Sequence, residues 1–200
     1  MVSNPFLTRE KVLSKIDLVR SSSKNLLFLG SLDDNKNILK TIDIFSIISD
    51  KEPNVNLTIV GTGSLEKEVL LKTKEKKKIK FVGFSEDIAH YLKNSDFLLL
   101  PSKFDSHPSV VLESMVSRVI PITSSQVGTN YLVKDKDFII DLKSSDKDIA
   151  DKIIQLMKKD NKYLNRLREE HRKIAMNYTK EAKINEFKES FDRCLKEMGF

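Results

Sequence analysis

The 200-residue sequence reads as an α/β fold built on a doubly wound parallel sheet with a helical C-terminal tail. Three observations predict it. Short unbroken apolar runs such as Asn25–Gly30 (NLLFLG) and Phe97–Pro101 (FLLLP) suit strands covered on both faces. Segments with apolar residues at helical spacing separate these runs, the rhythm of strand–helix–strand crossovers. From about Ser145 onward no strand is evident and only helical spacing remains.

Asn25–Gly30 is the first strand, followed by a helix over Asn37–Ser49 that turns Ile38, Ile42, Phe45 and Ile48 to one side. Asn56–Gly61 (NLTIVG) is the second strand, and a helix carrying Leu65, Val69 and Leu70 follows it. Lys80–Gly83 is a short strand, Glu86–Lys93 a helix and Phe97–Pro101 a buried strand. Pro108 fits the first turn of a helix running to Ser117. Val119–Thr123 (VIPIT) and Phe138–Asp141 complete the strands. In the tail, Ile149, Ile153, Ile154, Leu156 and Met157 precede a last helix over Lys180–Met198 with Ile184, Phe187, Phe191, Cys194 and Leu195 at helical spacing. The chain thus divides into a leading segment, 1–22, a sheet domain, 23–144, and C-terminal helices, 145–200.

The composition, 40% hydrophobic and 32% charged, is that of a globular protein rather than a disordered chain. No apolar run reaches membrane-spanning length, and the N-terminus lacks the apolar core of a signal peptide. A single cysteine rules out an internal disulfide, and three scattered histidines form no metal-ligand spacing, so a cytoplasmic location and no metal are expected. The net charge of +6 favours an anionic partner. The densest basic run, Lys72–Lys80, reads either as a solvated helix end or as a patch resting on anionic membrane. Nucleic acid is disfavoured because no aromatic residue is interleaved with these lysines.

Ligands of a parallel sheet lie at the carboxyl ends of its strands. Four turns there carry chemistry. Gly30 allows close backbone approach, with Ser31 beside it, and Lys36 can place a positive charge on a phosphate. Gly61-Thr-Gly63 opens like a dinucleotide fingerprint, but Glu66 replaces the third glycine, so it equally reads as a turn capped by Ser64. Phe84, after Gly83, edges the same side. The stretch Asp105-Ser106-His107-Pro108 leads into a helix that carries Glu113, setting two carboxylates near one helix start. Each can accept hydrogen bonds from adjacent sugar hydroxyls, although either also reads as an ordinary loop or surface acid.

The order of these pieces, with IVGTGSLE, FVGFSEDIAHYLKNSDFLLLPS, a D-x7-E pair and an IPI strand, resembles the group 1 glycosyltransferases. More narrowly it resembles the C-terminal, Rossmann-like half of family 4 enzymes of the GT-B fold, from about Asn4 to Tyr178, with Val2–Pro5 resembling the segment that leads into that half. The resemblance implies retaining transfer of a sugar from a nucleoside-diphosphate donor, without a metal cofactor, for polysaccharide or lipid-linked glycan assembly. By position it implies Lys36 on the diphosphate, Asp105 near the donor sugar as the catalytic carboxylate, and Glu113 on the ribose. Gly30, Ser31, Gly61, Gly63, Phe84, Ser106, His107 and Pro108 would border the donor.

Three departures stand out. Ser31 replaces the family's arginine, which removes a charged clamp of about 2 kcal/mol. Asp105 replaces a glutamate, and Arg118 replaces a glycine. The sequence also begins where the second domain of such an enzyme begins, so the expected partner is a separate N-terminal domain or chain. The alternative expectation is a non-catalytic nucleotide-sugar-binding module.

Overall fold

The computed structural model describes residues 24–197. The leading segment 1–22 lies outside the described residues. Six parallel strands form one sheet in the order β3-β2-β1-β4-β5-β6. They are β1 (Lys24–Leu29), β2 (Val55–Val60), β3 (Ile79–Gly83), β4 (Phe97–Leu100), β5 (Ile120–Ser124) and β6 (Ile139–Ile140). The helices are α1 (Ile38–Lys51), α2 (Glu66–Thr73), α3 (Ile88–Lys93), α4 (Ser109–Val116), α5 (Asp146–Met157), α6 (Asn161–Met176) and α7 (Lys180–Glu197). The chain winds outward from β1 to β3, then returns to place β4 on the other side of β1. That reversal is the topological switch point of a doubly wound sheet.

Helix α1 packs on α5 and α2 along one face, and α4 packs on α6 along the other. Leu26, Leu27 and Phe28 of β1 and all of β4 are inaccessible to solvent, the outcome their unbroken apolar runs anticipate. The proline of β5 is also accounted for. Ile120 donates its amide to the Asp96 carbonyl at 3.1 Å on the β4 side, so the nitrogen of Pro121 turns away from β4, and β6 joins β5 only from Thr123; no partner needs the amide that Pro121 lacks. Ile149, Ile153, Leu156 and Leu164 of the tail join the same core, making α5 and α6 part of the layered unit. On α7, Ile184, Phe187 and Phe191 are exposed.

Element ends shift by a residue or two for local reasons. Helix α3 begins at Ile88 because the Asp87 carboxylate accepts the His90 amide at 3.0 Å. In α2 the inner face is Val69 and Thr73, while Leu70 points outward. The basic run after α2 is not a continuous cationic face. Lys72 pairs with Asp43 at 2.6 Å, Lys76 donates to Ser46 at 2.9 Å, and Lys78 donates to the Ser49 carbonyl at 3.0 Å, all on α1.

At the end of the sheet away from the turns, Asp96 accepts the Asn25 amide at 3.0 Å and lies 3.7 Å from the buried Arg168 guanidinium. Nearby on α6, His171 is buried, with Nε2 accepting the Lys134 amide at 3.2 Å. Desolvation pushes its imidazole from the usual 6.5 down to about 4. The folded protein therefore binds this proton more weakly than the unfolded chain. Stability is full above pH 6.5 and falls as pH drops toward 4, by about 3 kcal/mol from this group. Urea unfolding across that window is expected to show the decline, and His171→Gln to flatten it by about one proton's worth of slope.

Candidate functional site

The loops after β1 and β4 meet at the switch point and are stitched together. The Lys103 amide donates to the Asn35 carbonyl at 2.7 Å, and the Asn35 side chain donates to the Phe104 carbonyl at 2.7 Å. Asn37, held in the left-handed region at φ 60°, donates from its side chain to the Pro101 carbonyl at 3.1 Å. Lys103 also pairs with Asp34 at 2.6 Å. Asp33 organises the β1 loop, accepting the Ser31 hydroxyl at 2.6 Å and the Lys36 amide at 2.7 Å.

This bracing aims two charged groups at each other. Lys36 and Asp105 form an ion pair whose side chains are only 19% and 12% exposed. Such shielding from water strengthens their Coulomb attraction over that of a surface pair and costs both groups part of their hydration. Asp105 is itself fixed by a bridge to Val127 and by its carbonyl accepting the Gly128 amide at 2.7 Å.

Above the strand ends lies an open cavity of about 670 Å³, walled by the turns after β1, β2 and β3 and by the start of α4. Its wall gathers Gly30, Ser31, Lys36, Gly61, Phe84, Asp105, His107, Pro108 and Glu113. Of the residues singled out in the sequence, Gly63 and Ser106 are not on this wall. Gly63 instead sits against the Leu32 backbone, where a Cβ would lie 2.4 Å from the carbonyl oxygen. Ser106 packs its backbone against Gly128 in the same close way. Gly63 and Gly128 are the spacers that let neighbouring turns touch.

Gly61 does both jobs. It lines the cavity at φ 146°, and a Cβ there would fall 1.8 Å from the Gly30 carbonyl oxygen. Arg118 holds φ 58°, a conformation a glycine adopts without cost, and pairs with Glu169 on α6 at 2.5 Å, away from the cavity wall. Sequence reasoning missed Asp33 and Asn35, whose roles are to hold loops, and the wall residues Thr62, Ser85 and Ile88. An Asp three residues before Lys36 was the available signal, since such a carboxylate can cap the lysine's amide.

The charge pattern is suited to an anionic, hydroxyl-rich ligand. Lys36 and the first amides of α4 supply positive potential, and Asp105 and Glu113 supply acceptors. Among the described residues no group of three His, Cys, Asp or Glu side chains is placed to hold a metal ion.

Comparison with known proteins agrees with this architecture. A galactosyltransferase of Escherichia coli that acts on GlcNAc-diphosphoundecaprenol is 28% identical over 178 residues, covering 80% of this chain and 46% of that enzyme. An N-acetylgalactosaminyltransferase of Campylobacter jejuni is 32% identical over 113 residues, 55% of this chain and 32% of its own length. The chain thus spans less than half the length of these curated relatives. Among solved structures, Staphylococcus aureus TarM superposes with a TM-score of 0.73 at 17% identity, covering 82% of this chain and 34% of TarM. Anabaena HepE, solved with UDP and glucose, gives a TM-score of 0.70 at 17% identity over 93% of this chain and 53% of HepE. These likenesses establish a GT-B type of Rossmann-like fold. Residues 11–174 match the family profile described as glycosyl transferases group 1, and the chain belongs to that family.

Proposed function

We propose that the cavity at the switch point is the donor pocket of a retaining sugar transferase and takes a nucleoside-diphosphate sugar. The observation that carries this reading is the convergence of Lys36, Asp105 and Glu113, from three separate segments, on one cavity beside the start of α4. Cleavage of the donor's glycosidic bond leaves negative charge on the diphosphate. Lys36 and the α4 amides lie where they can stabilise that charge without a metal. Lys36 now pairs with Asp105, so the incoming diphosphate exchanges one anionic partner for another. Asp105 then faces the sugar, and Glu113 accepts hydrogen bonds from ribose hydroxyls. Phe84, exposed at the rim, borders the base.

UDP is the first nucleotide to test, because HepE was solved with UDP-glucose and the E. coli relative is named for UDP-Gal. Lipid-linked or capsular glycan acceptors follow from the names of curated relatives, and the reaction belongs in the cytoplasm. The acceptor side of the cleft comes from a further domain or a partner chain. A second reading, a binding module without turnover, is favoured by Ser31, which leaves Lys36 as the one lysine or arginine on the cavity wall among the described residues.

Calorimetry with UDP, GDP and their sugar conjugates, with and without divalent cation, tests the first reading. Metal-independent binding that weakens about tenfold in Glu113→Ala is expected, the loss of roughly one charged hydrogen bond. Binding of none of these ligands at millimolar concentration would sink it. Turnover on addition of an acceptor domain separates a transferase from a binding module.

A further inference from the structure

We propose that the outward face of α2 rests on an anionic lipid surface. Lys67, Leu70, Leu71 and Lys74 are spaced i, i+3, i+4 and i+7, so they share one face of the helix and the turn that ends it. Opposite them, Val69 and Thr73 are buried against the rest of the domain. The two leucines at the centre of the outward face are 57% and 75% exposed, and both lysines are exposed at its ends. Two adjacent exposed leucines are not what a solvated helix end requires.

The surrounding charge selects the partner. Residues 66–80 hold seven lysines against three glutamates. Lys72, Lys76 and Lys78 are occupied on α1, which leaves Lys67 and Lys74 exposed on the face of the leucines, with Lys77 and Lys80 exposed further along the chain. Of the glutamates, Glu66 accepts the Thr62 hydroxyl, Glu68 lies roughly 100° round the helix from Lys67, and Glu75 falls in the turn after the helix. An apolar pair framed by lysines fits the boundary between lipid headgroups and acyl chains: the leucines insert and the lysines meet phosphates. A protein partner of matching shape would need an acidic rim around an apolar socket, whereas an anionic bilayer supplies both as a continuous surface. No helix among the described residues is long and apolar enough to cross a membrane, so contact of this kind is peripheral. The proposal stands apart from what the cavity binds.

Sedimentation of the full chain with vesicles tests it, comparing phosphatidylcholine alone with phosphatidylcholine containing phosphatidylglycerol. Binding to the anionic vesicles only is expected, weakened by high salt. Lys67→Gln with Lys74→Gln should reduce affinity about thirtyfold, from about fivefold per lysine, and Leu70→Ser with Leu71→Ser at least about tenfold. All four side chains are exposed, so thermal unfolding should not change. In the unmodified protein, acylation of Lys67 and Lys74 by a water-soluble reagent should slow when anionic vesicles are present. Equal binding to neutral vesicles, absence of binding to anionic ones, or unchanged binding in both variants would overturn the proposal. A dimer that dissociates on Leu70→Ser with Leu71→Ser would assign the face to a second copy instead.

Discussion

Replacing Lys36 with alanine is expected to raise the dissociation constant for a nucleoside diphosphate about a hundredfold. A charge-assisted hydrogen bond contributes up to about 3 kcal/mol, and about 2.7 kcal/mol corresponds to that factor. Ser31 offers no compensating charge beside it, so among the described residues no second lysine or arginine on the wall shares the loss. The substitution also strips Asp105 of its Lys36 partner and leaves a carboxylate facing an anionic ligand. Part of the penalty is therefore repulsion, and Asp105→Asn should recover it. In a double-mutant cycle the Lys36→Ala penalty should shrink by about 1–2 kcal/mol when Asp105 is already asparagine. Asp105→Asn alone should tighten nucleotide binding, because Lys36 is released, while lowering any sugar transfer. Calorimetric constants for the four proteins decide the matter; an unchanged value in Lys36→Ala would remove the diphosphate from this wall.

Gly61→Ala is expected to cost about 4 kcal/mol of stability, at the extreme for one methyl group. The added Cβ would fall 1.8 Å from the Gly30 carbonyl oxygen, a backbone atom that cannot rotate away, and φ of 146° disfavours any side chain. The turns after β1 and β2 must then separate, carrying two walls of the cavity with them. Gly30→Ala is the control: its Cβ would meet nothing within 4 Å, so a loss of only about 1 kcal/mol is expected. Urea unfolding of both variants, read as a shift in midpoint at unchanged slope, makes the comparison. Similar losses would mean that the contact between the turns is not what holds them.

The sheet was legible in the sequence because its strands are buried on both faces, and that burial forces unbroken apolar runs such as FLLLP. The cavity wall was legible where chemistry and position coincide, as at Lys36, Asp105 and Glu113. Less could be read where a residue acts on backbone. Asp33 and Asn35 look like any polar loop residues, and only the meeting of loops 69 positions apart shows what Asn35 holds. The family resemblance implies Gly63 as pocket lining, but a Gly-x-Gly turn serves either purpose, and the structure places it against Leu32. Leu70 matched the apolar side of α2 by residue type, yet the inner face passes through Val69 and Thr73. In a helix of two turns, one residue of phase decides which leucine is buried.

The return of the chain at the switch point has a consequence for how the protein is made. Strand β1 pairs with β2 over all six of its residues, and those two with β3 can associate once residue 83 has left the ribosome. The other edge of β1 must wait for Phe97 and Leu98. During that interval a nascent three-stranded sheet shows an open edge at its eventual centre, apolar from Leu26 to Leu29, the kind of template that recruits strands from other chains. A pause in synthesis while residues 84–100 are still emerging from the ribosome should therefore lower soluble yield more than the same pause after residue 124 has emerged, when the fifth strand has closed over the fourth.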